Sequence, residues 1–332
     1  MITVVLTFRN RNLHIVKKCL DSLHLQSLKA FKVIIVDYGS ESIVTLSLKE
    51  LITNYSFIRL IYCPVEKQLW NKSRAVNIAL KQCNTPYFFV GDIDMIFRND
   101  FIDQLFTLKN KEKVTYFQVG FLSKEESLKN QLFESYQIKH ISGKEATGMT
   151  LYPTQLIKDI NGYDEFYHGW GSEDTDVHIR LKNAGYKIEF YAEHVLILHQ
   201  WHSRNYRTID SREPFHTSLE QINQQYLKQI IKNECIWANN NIVWGENYDN
   251  KLFNDSVVIS LIITNLKSDV DALLLGILKK YANQKIEIQI NKHSSYKSMK
   301  NSLKRVLGKK SFKHYHFQDV NNLVLGAIIT NF

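Results

Sequence analysis

In the first hundred residues, short continuous runs of apolar, β-branched residues alternate with stretches of helical periodicity, and few folds accept that pattern. Ile2–Thr7, Phe31–Val36, Phe57–Cys63 and Tyr87–Val90 read as strands. Leu13–Leu25 places Leu13, Val16, Leu20 and Leu23 at helical spacing, a helical stretch runs to about Asn54, and Lys72–Cys83 reads as a third helix. Strands that are apolar throughout are buried on both faces, so the pattern implies a mainly parallel sheet covered by helices on each side. Ligands of such sheets bind beyond the carboxyl ends of the strands. Thr7–Arg11, Asp37–Ser40 and Gly91–Asp94 occupy those positions.

After about residue 100 the alternation loosens. Val114–Val119, Ala146–Tyr152, Tyr186–Tyr191 and Val195–Leu198 read as strands or extended segments, Glu173–Ala184 and Phe215–Trp237 as helices, and Ser123–Lys144 as a polar stretch. A strand-helix-strand pattern restarts near Val257–Thr264, Val270–Tyr281 and Ile286–Ile290. No window approaches the roughly 20 apolar residues of a membrane span. The start of the chain lacks the basic region and long apolar core of a signal peptide. Cys19, Cys63, Cys83 and Cys235 form no metal-binding spacing, and a reducing compartment suits them. A cytoplasmic protein is expected.

Three clusters carry chemistry. Asp92-Ile93-Asp94 directly follows an apolar strand, where two carboxylates one residue apart can face one Mg²⁺ or Mn²⁺ ion. Gly169-Trp170-Gly171-Ser172-Glu173-Asp174 opens a helix. Carboxylates there suit the helix dipole on structural grounds alone. The same atoms can also serve a sugar: an indole to stack on the ring, Glu173 to hold hydroxyls, Asp174 to accept a proton. His199-Gln200-Trp201-His202 follows a strand, and an imidazole from it can complete an oxygen-rich metal site. His199 is the preferred ligand because the strand fixes its direction, with His202 as the alternative. No GxGxxG follows the first strand, which excludes a Rossmann-type oxidoreductase.

Taken in order, Thr7-Phe8-Arg9-Asn10-Arg11, Val36-Asp37-Tyr38-Gly39-Ser40, Asn71-Lys72-Ser73-Arg74-Ala75-Val76-Asn77, Asp92-Ile93-Asp94 and Trp170-Gly171-Ser172-Glu173-Asp174 resemble the motifs of family 2-like glycosyltransferases of the GT-A fold. The Trp-Gly-x-Glu-Asp segment resembles the galactosyl- and N-acetylgalactosaminyltransferase branch, including bacterial chondroitin-type capsule polymerases. The resemblance covers roughly residues 1–205 and implies an α/β GT-A domain at 1–250, with a small α/β accessory region at 251–332. It implies that Thr7, Arg9 and Arg11 hold the nucleotide, that Asp37 meets the uracil with Gly39 and Ser40 shaping the loop, and that Arg74 contacts base or diphosphate. Asp92 would reach ribose and metal. Asp94 would ligate the metal, joined by His199 or His202. Trp170, Gly171 and Glu173 would hold sugar and acceptor, and Asp174 would be the base. Tyr38 stands where the family usually has a second Asp, so any role for that carboxylate is absent.

The implied activity is metal-dependent, inverting transfer of a hexose or N-acetylhexosamine from a UDP-sugar to a glycan or lipid-linked acceptor in surface polysaccharide synthesis. Retention, or a non-catalytic carbohydrate-binding subunit, are the alternatives. Charge is uneven: residues 251–332 hold 13 Lys and Arg against 5 Asp and Glu, nearly all of the net +9. That balance fits a solvated helix face and equally attraction to an anionic membrane surface or an acidic polymer, while the strands there can instead meet a partner subunit. No nucleic-acid recognition motif accompanies the charge.

Overall fold

Parallel strands need helices on both faces, and the chain alternates between the two. The structure, a computed structural model, describes residues 1–65, 69–203, 216–240, 242–247, 258–273, 285–306 and 323–327. In order, β1 (Ile2–Phe8), α1 (Leu13–His24), β2 (Phe31–Tyr38), α2 (Ser42–Ile52), β3 (Ile58–Cys63), α3 (Lys72–Lys81) and β4 (Tyr87–Asp92) make the first half. The remainder contains β5 (Met95–Phe97), α4 (Phe101–Leu108), β6 (Lys113–Phe117), β7 (Gly120–Leu122), α5 (Lys124–Leu128) and β8 (Ile138–Ile141). It continues with β9 (Thr150–Pro153), α6 (Thr154–Asp159), α7 (Glu173–Asn183), β10 (Lys187–Tyr191), β11 (Ile197–His199) and α8 (His216–Lys232).

Seven strands form the main sheet in the order β10-β6-β9-β4-β1-β2-β3. Only β9 runs against its neighbours, β4 and β6. Its reversal brings the residues just before it, Gly148 and Met149, to the carboxyl end of β4. One face of the sheet packs Val4, Leu6 and Phe8 against α1, α2 and α4, while the other packs Val5, Ile34 and Val36 against α3, α6 and α7. On the first face, α1 buries Val16, Cys19, Leu20 and Leu23, the i, i+3, i+4, i+7 stripe of an amphipathic helix. Phe89, Phe97, Phe101 and Phe117 meet there with centroids 4.8–6.2 Å apart, locking β4, β5, α4 and β6 together. The expected mixed, mainly parallel α/β architecture is what the chain adopts.

A second, four-stranded sheet, β5-β11-β7-β8, is not apparent from the sequence pattern. Its strands are three or four residues long, too short to show a two-residue period. Val258–Thr264, Lys285–Asn291 and Leu323–Ala327 make a third sheet of their own, the first two parallel, as the restart near residue 257 implies. The expected helix at Val270–Tyr281 lies partly outside the described residues; its first residues fall in a helix at Lys267–Ala272. Among the described residues no helix is long and apolar enough to cross a membrane.

Candidate active site

Strand register assembles the nucleotide-side residues. Thr7 of β1 lies opposite Val36 of β2 and Asp92 of β4, and Phe8 opposite Asp37. Three parallel strands therefore end level, and Thr7, Arg9, Arg11, Asp37, Gly39, Ser40 and Asp92 share one edge. The loops after β1 and β2 are stitched together: the Asn10 N–H donates to Ser40 Oγ (2.9 Å), and the Glu41 N–H donates to Asn10 Oδ1 (2.8 Å). Asp37, fully buried, accepts from the Ser40 N–H (3.2 Å) and the Thr45 hydroxyl (2.6 Å). Burial pushes its carboxyl up, against the pull of Ser40, Thr45 and Arg9. The residue expected to meet the base thus holds its own loop, with both oxygens bonded inside the protein. Arg74 is likewise turned inward: its guanidinium lies 3.9 Å from Glu165 and donates to the Glu246 carbonyl (3.2 and 3.4 Å).

The second sheet builds a separate cluster. β11 pairs antiparallel with β5, placing His199 opposite Met95, and the Gln200 N–H donates to the Asp94 carbonyl (3.0 Å). Asp94 Oδ2 lies 3.2 Å from His202 Nε2 and 3.1 Å from the Arg11 guanidinium, and Oδ1 lies 3.8 Å from His199 Nε2. Ligand atoms of Asp94, His199 and His202 fall within 4.8 Å of one another. Burial opposes ionisation of Asp94, but His199, His202 and Arg11 outweigh it and hold the carboxyl below its usual range. Burial also lowers His199, favouring the neutral imidazole that a metal takes. Asp94 Oδ1 is buried without a hydrogen-bond partner. A carboxylate with such an oxygen and two imidazoles clustered beside it fit a divalent cation. Asp92 is not part of this cluster.

Asp92 instead faces Lys72, the first residue of α3, at 3.1 Å. The same Nζ donates to Asp174 Oδ2 (2.9 Å) and lies 4.0 Å from Glu173. Burial works against this charge, but Asp174, Asp92 and Glu173 together raise the Lys72 pKa well above the ordinary lysine value. Glu173 is pushed up to about 7, first by burial and then by Asp174 beside it. Asp174 Oδ1 is buried and unpartnered. Before α7, Gly169 (φ 74°), Gly171 (φ 101°) and Ser172 (φ 77°) all adopt positive φ, which leaves Trp170 44% exposed beside the two acids. A non-glycine residue held at positive φ is strained backbone of the kind found at binding sites.

Residues 3–156 match the model of glycosyl transferase family 2, and residues 130–202 match that of the N-terminal domain of galactosyltransferase. The chain thus resembles the family 2-like glycosyltransferases. Beta-1,4-galactosyltransferase 4 of Cricetulus griseus and that of Rattus norvegicus are each 28% identical to this chain over 123 residues, 36% of its length and 31% of theirs. The chain thus spans about a third of the length of the curated relatives it matches. GalNAc-T7, solved with UDP, GalNAc and Mn²⁺, superposes with a TM-score of 0.50 at 12% identity, over 69% of this chain and 48% of that one. TarS of S. aureus, solved with UDP, gives 0.47 at 14% identity over 70% of each. The chain has the GT-A fold.

The chain braces its Trp-Gly loop with α3 and α7. Asn71, Arg74 and Asn77, one turn apart on α3, grip the segment before the loop. Asn71 donates to the Glu165 carbonyl (2.8 Å), and Asn77 exchanges bonds with Tyr163 and donates to Glu165 Oε1 (2.9 Å). On α7, the fully buried Arg180 bonds Asp176 (2.7 Å) and the carbonyls of Ile160 (3.0 Å) and Gly162 (2.8 Å). Removing one partner of a buried pair leaves the other uncompensated, at a cost of roughly 3–5 kcal/mol. Arg180→Ala is expected to lose about that much stability in urea unfolding, because Asp176 would stay buried with the Tyr167 hydroxyl but no cation beside it. An unchanged unfolding midpoint would refute this bracing.

Two residues of the candidate site escape the sequence reading. Lys72 lies inside a motif whose family role attaches to Arg74. A lysine opening a helix is electrostatically misplaced, and that was the available signal. Gly148 carries no signal at all, yet a Cβ there would sit 3.2 Å from Asp174 Oδ2.

Proposed function

We propose that this protein transfers a hexose or N-acetylhexosamine from a UDP-sugar to a glycan hydroxyl with inversion, using Asp174 as the base and a divalent cation held by Asp94, His199 and His202. The observation that carries the reading is a pair of contact runs joined by the backbone of Asp92-Ile93-Asp94: His202 to Asp94 on one side, and Asp92 to Lys72 to Asp174 on the other. It joins a cluster fit for a cation to a carboxylate with one oxygen unspent. The relatives named beta-1,4-galactosyltransferase support a galactose-type donor.

A bound cation supplies positive charge to the departing diphosphate. Imidazoles suit Mn²⁺ better than Mg²⁺, which prefers oxygen ligands throughout. The chain supplies the rest. Trp170 offers a stacking face to a sugar ring, and Glu173, whose carboxyl is pushed up by burial and by Asp174, lies beside it to hold hydroxyls. Asp174 takes the acceptor's proton while the new C–O bond forms at the anomeric carbon and the old one breaks, its electron pair leaving with UDP. Residues 1–250 form the catalytic unit in this reading. Residues 251–332 serve as a basic accessory region that gains about 1 kcal/mol per Lys or Arg near an anionic surface.

A panel of UDP-sugars assayed with Mn²⁺ and with chelator tests the proposal. Transfer from UDP-galactose or UDP-N-acetylgalactosamine only with the metal is expected. Metal-independent turnover, or none with any donor, would overturn it.

A further inference from the structure

Lys72 sits where a cation is least favoured. The positive end of the α3 dipole lies there, and lysine is almost never fully buried without partners. Its residue is 8% exposed, with Nζ 2.9 Å from Asp174, 3.1 Å from Asp92 and 4.0 Å from Glu173. None of these contacts anchors α3, since Asn71 caps it and Asn71, Arg74 and Asn77 fasten it to residues 163–165. Helix packing therefore gives no reason for a lysine at this position.

Its effect falls on Asp174. A carboxylate has a broad, two-fold torsion about its last bond and can present either oxygen. A short charge-assisted bond to Lys72 ties Oδ2. Gly148 leaves just enough room beside that oxygen, since even a methyl would come within 3.2 Å of it. Oδ1 then remains as the buried, unpartnered atom. The second bond of Lys72, to Asp92, ties this carboxylate to the end of β4, the strand that leads to Asp94.

We propose that Lys72 is a positioning residue for the transfer reaction: it holds Asp174 so that Oδ1 faces the acceptor hydroxyl, and it fixes the spacing between the base and the Asp92–Asp94 strand end. The inference rests on the transferase reading above, with Asp174 as base.

A double-mutant cycle on the full chain tests it, with wild type, Lys72→Met, Asp174→Asn and the double variant assayed on UDP-galactose or UDP-N-acetylgalactosamine with Mn²⁺. Lys72→Met is expected to lower kcat by about 10²-fold, at the lower end of what a positioned base contributes, with little change in donor KM. In the Asp174→Asn background the same change should alter kcat by less than about threefold, because residues acting as one unit are not additive. Lys72→Arg, which keeps a cation, should recover part of the loss. Melting curves report folding, and Lys72→Gln replaces Lys72→Met in the cycle if the latter does not fold. Equal losses in both backgrounds, a loss confined to donor KM, or no loss would overturn the role of Lys72. A wild type without transfer, or indifferent to Asp174→Asn, would instead overturn the reading on which it rests.

Discussion

Asp174→Asn is expected to lower kcat by roughly 10²–10⁴-fold while UDP-sugar affinity and melting temperature stay near those of the wild type. The amide keeps the shape of the carboxylate and can still meet Lys72 through its oxygen, but it cannot take a proton. The unpartnered Oδ1 marks the atom whose loss matters. A capping role predicts a different pattern. Asp174 is in the first turn of α7, where a carboxylate gains about 0.3–1 kcal/mol from the dipole. If capping were its whole task, the variant would lose a little stability and almost no rate. Steady-state kinetics beside a thermal melt separates the two.

Asp94→Ala is expected to abolish both Mn²⁺-dependent UDP binding and transfer. Asp94 is the one carboxylate among the three clustered ligands, and its loss would leave two imidazoles and the Arg11 cation at the site. His199→Ala and His202→Ala should each weaken Mn²⁺ binding by more than the roughly 10–100-fold typical of losing a partner behind a ligand. Both rings point Nε2 at Asp94, so similar losses are expected, with His202 at 3.2 Å and His199 at 3.8 Å. Calorimetric titration of Mn²⁺ into each variant measures this. Wild-type affinity in Asp94→Ala would place the cation elsewhere.

The parallel half of the fold was legible because β1, β2 and β4 are mostly apolar and buried on both faces, and the helices between the strands carry stripes such as Val16, Cys19, Leu20 and Leu23. What was hidden depends on pairing between distant short segments. β5 and β11 have three residues each, and only their register shows that His199 sits opposite the residue after Asp94. Reversal of β9 is equally silent in the sequence, and it alone brings Gly148 against Asp174.

Motif residues divide by what surrounds them. Asp94, His199, His202, Glu173 and Asp174 could be listed from their strand-end and helix-start positions. The inward turns of Asp37 and Arg74 could not, because their partners Thr45, Glu165 and Glu246 belong to no motif. A linear pattern marks a position where chemistry can occur; packing decides which way the side chain faces.

The central claim is that one metal-assisted site, with Asp174 across the sugar from the leaving diphosphate, performs an inverting transfer. NMR of the product formed from an α-linked UDP-sugar tests it most directly, through the coupling constant of the new anomeric proton. A β-linked product, formed with Mn²⁺ and lost on chelation, is expected. An α-linked product, or the same product in the presence of chelator, would contradict the claim.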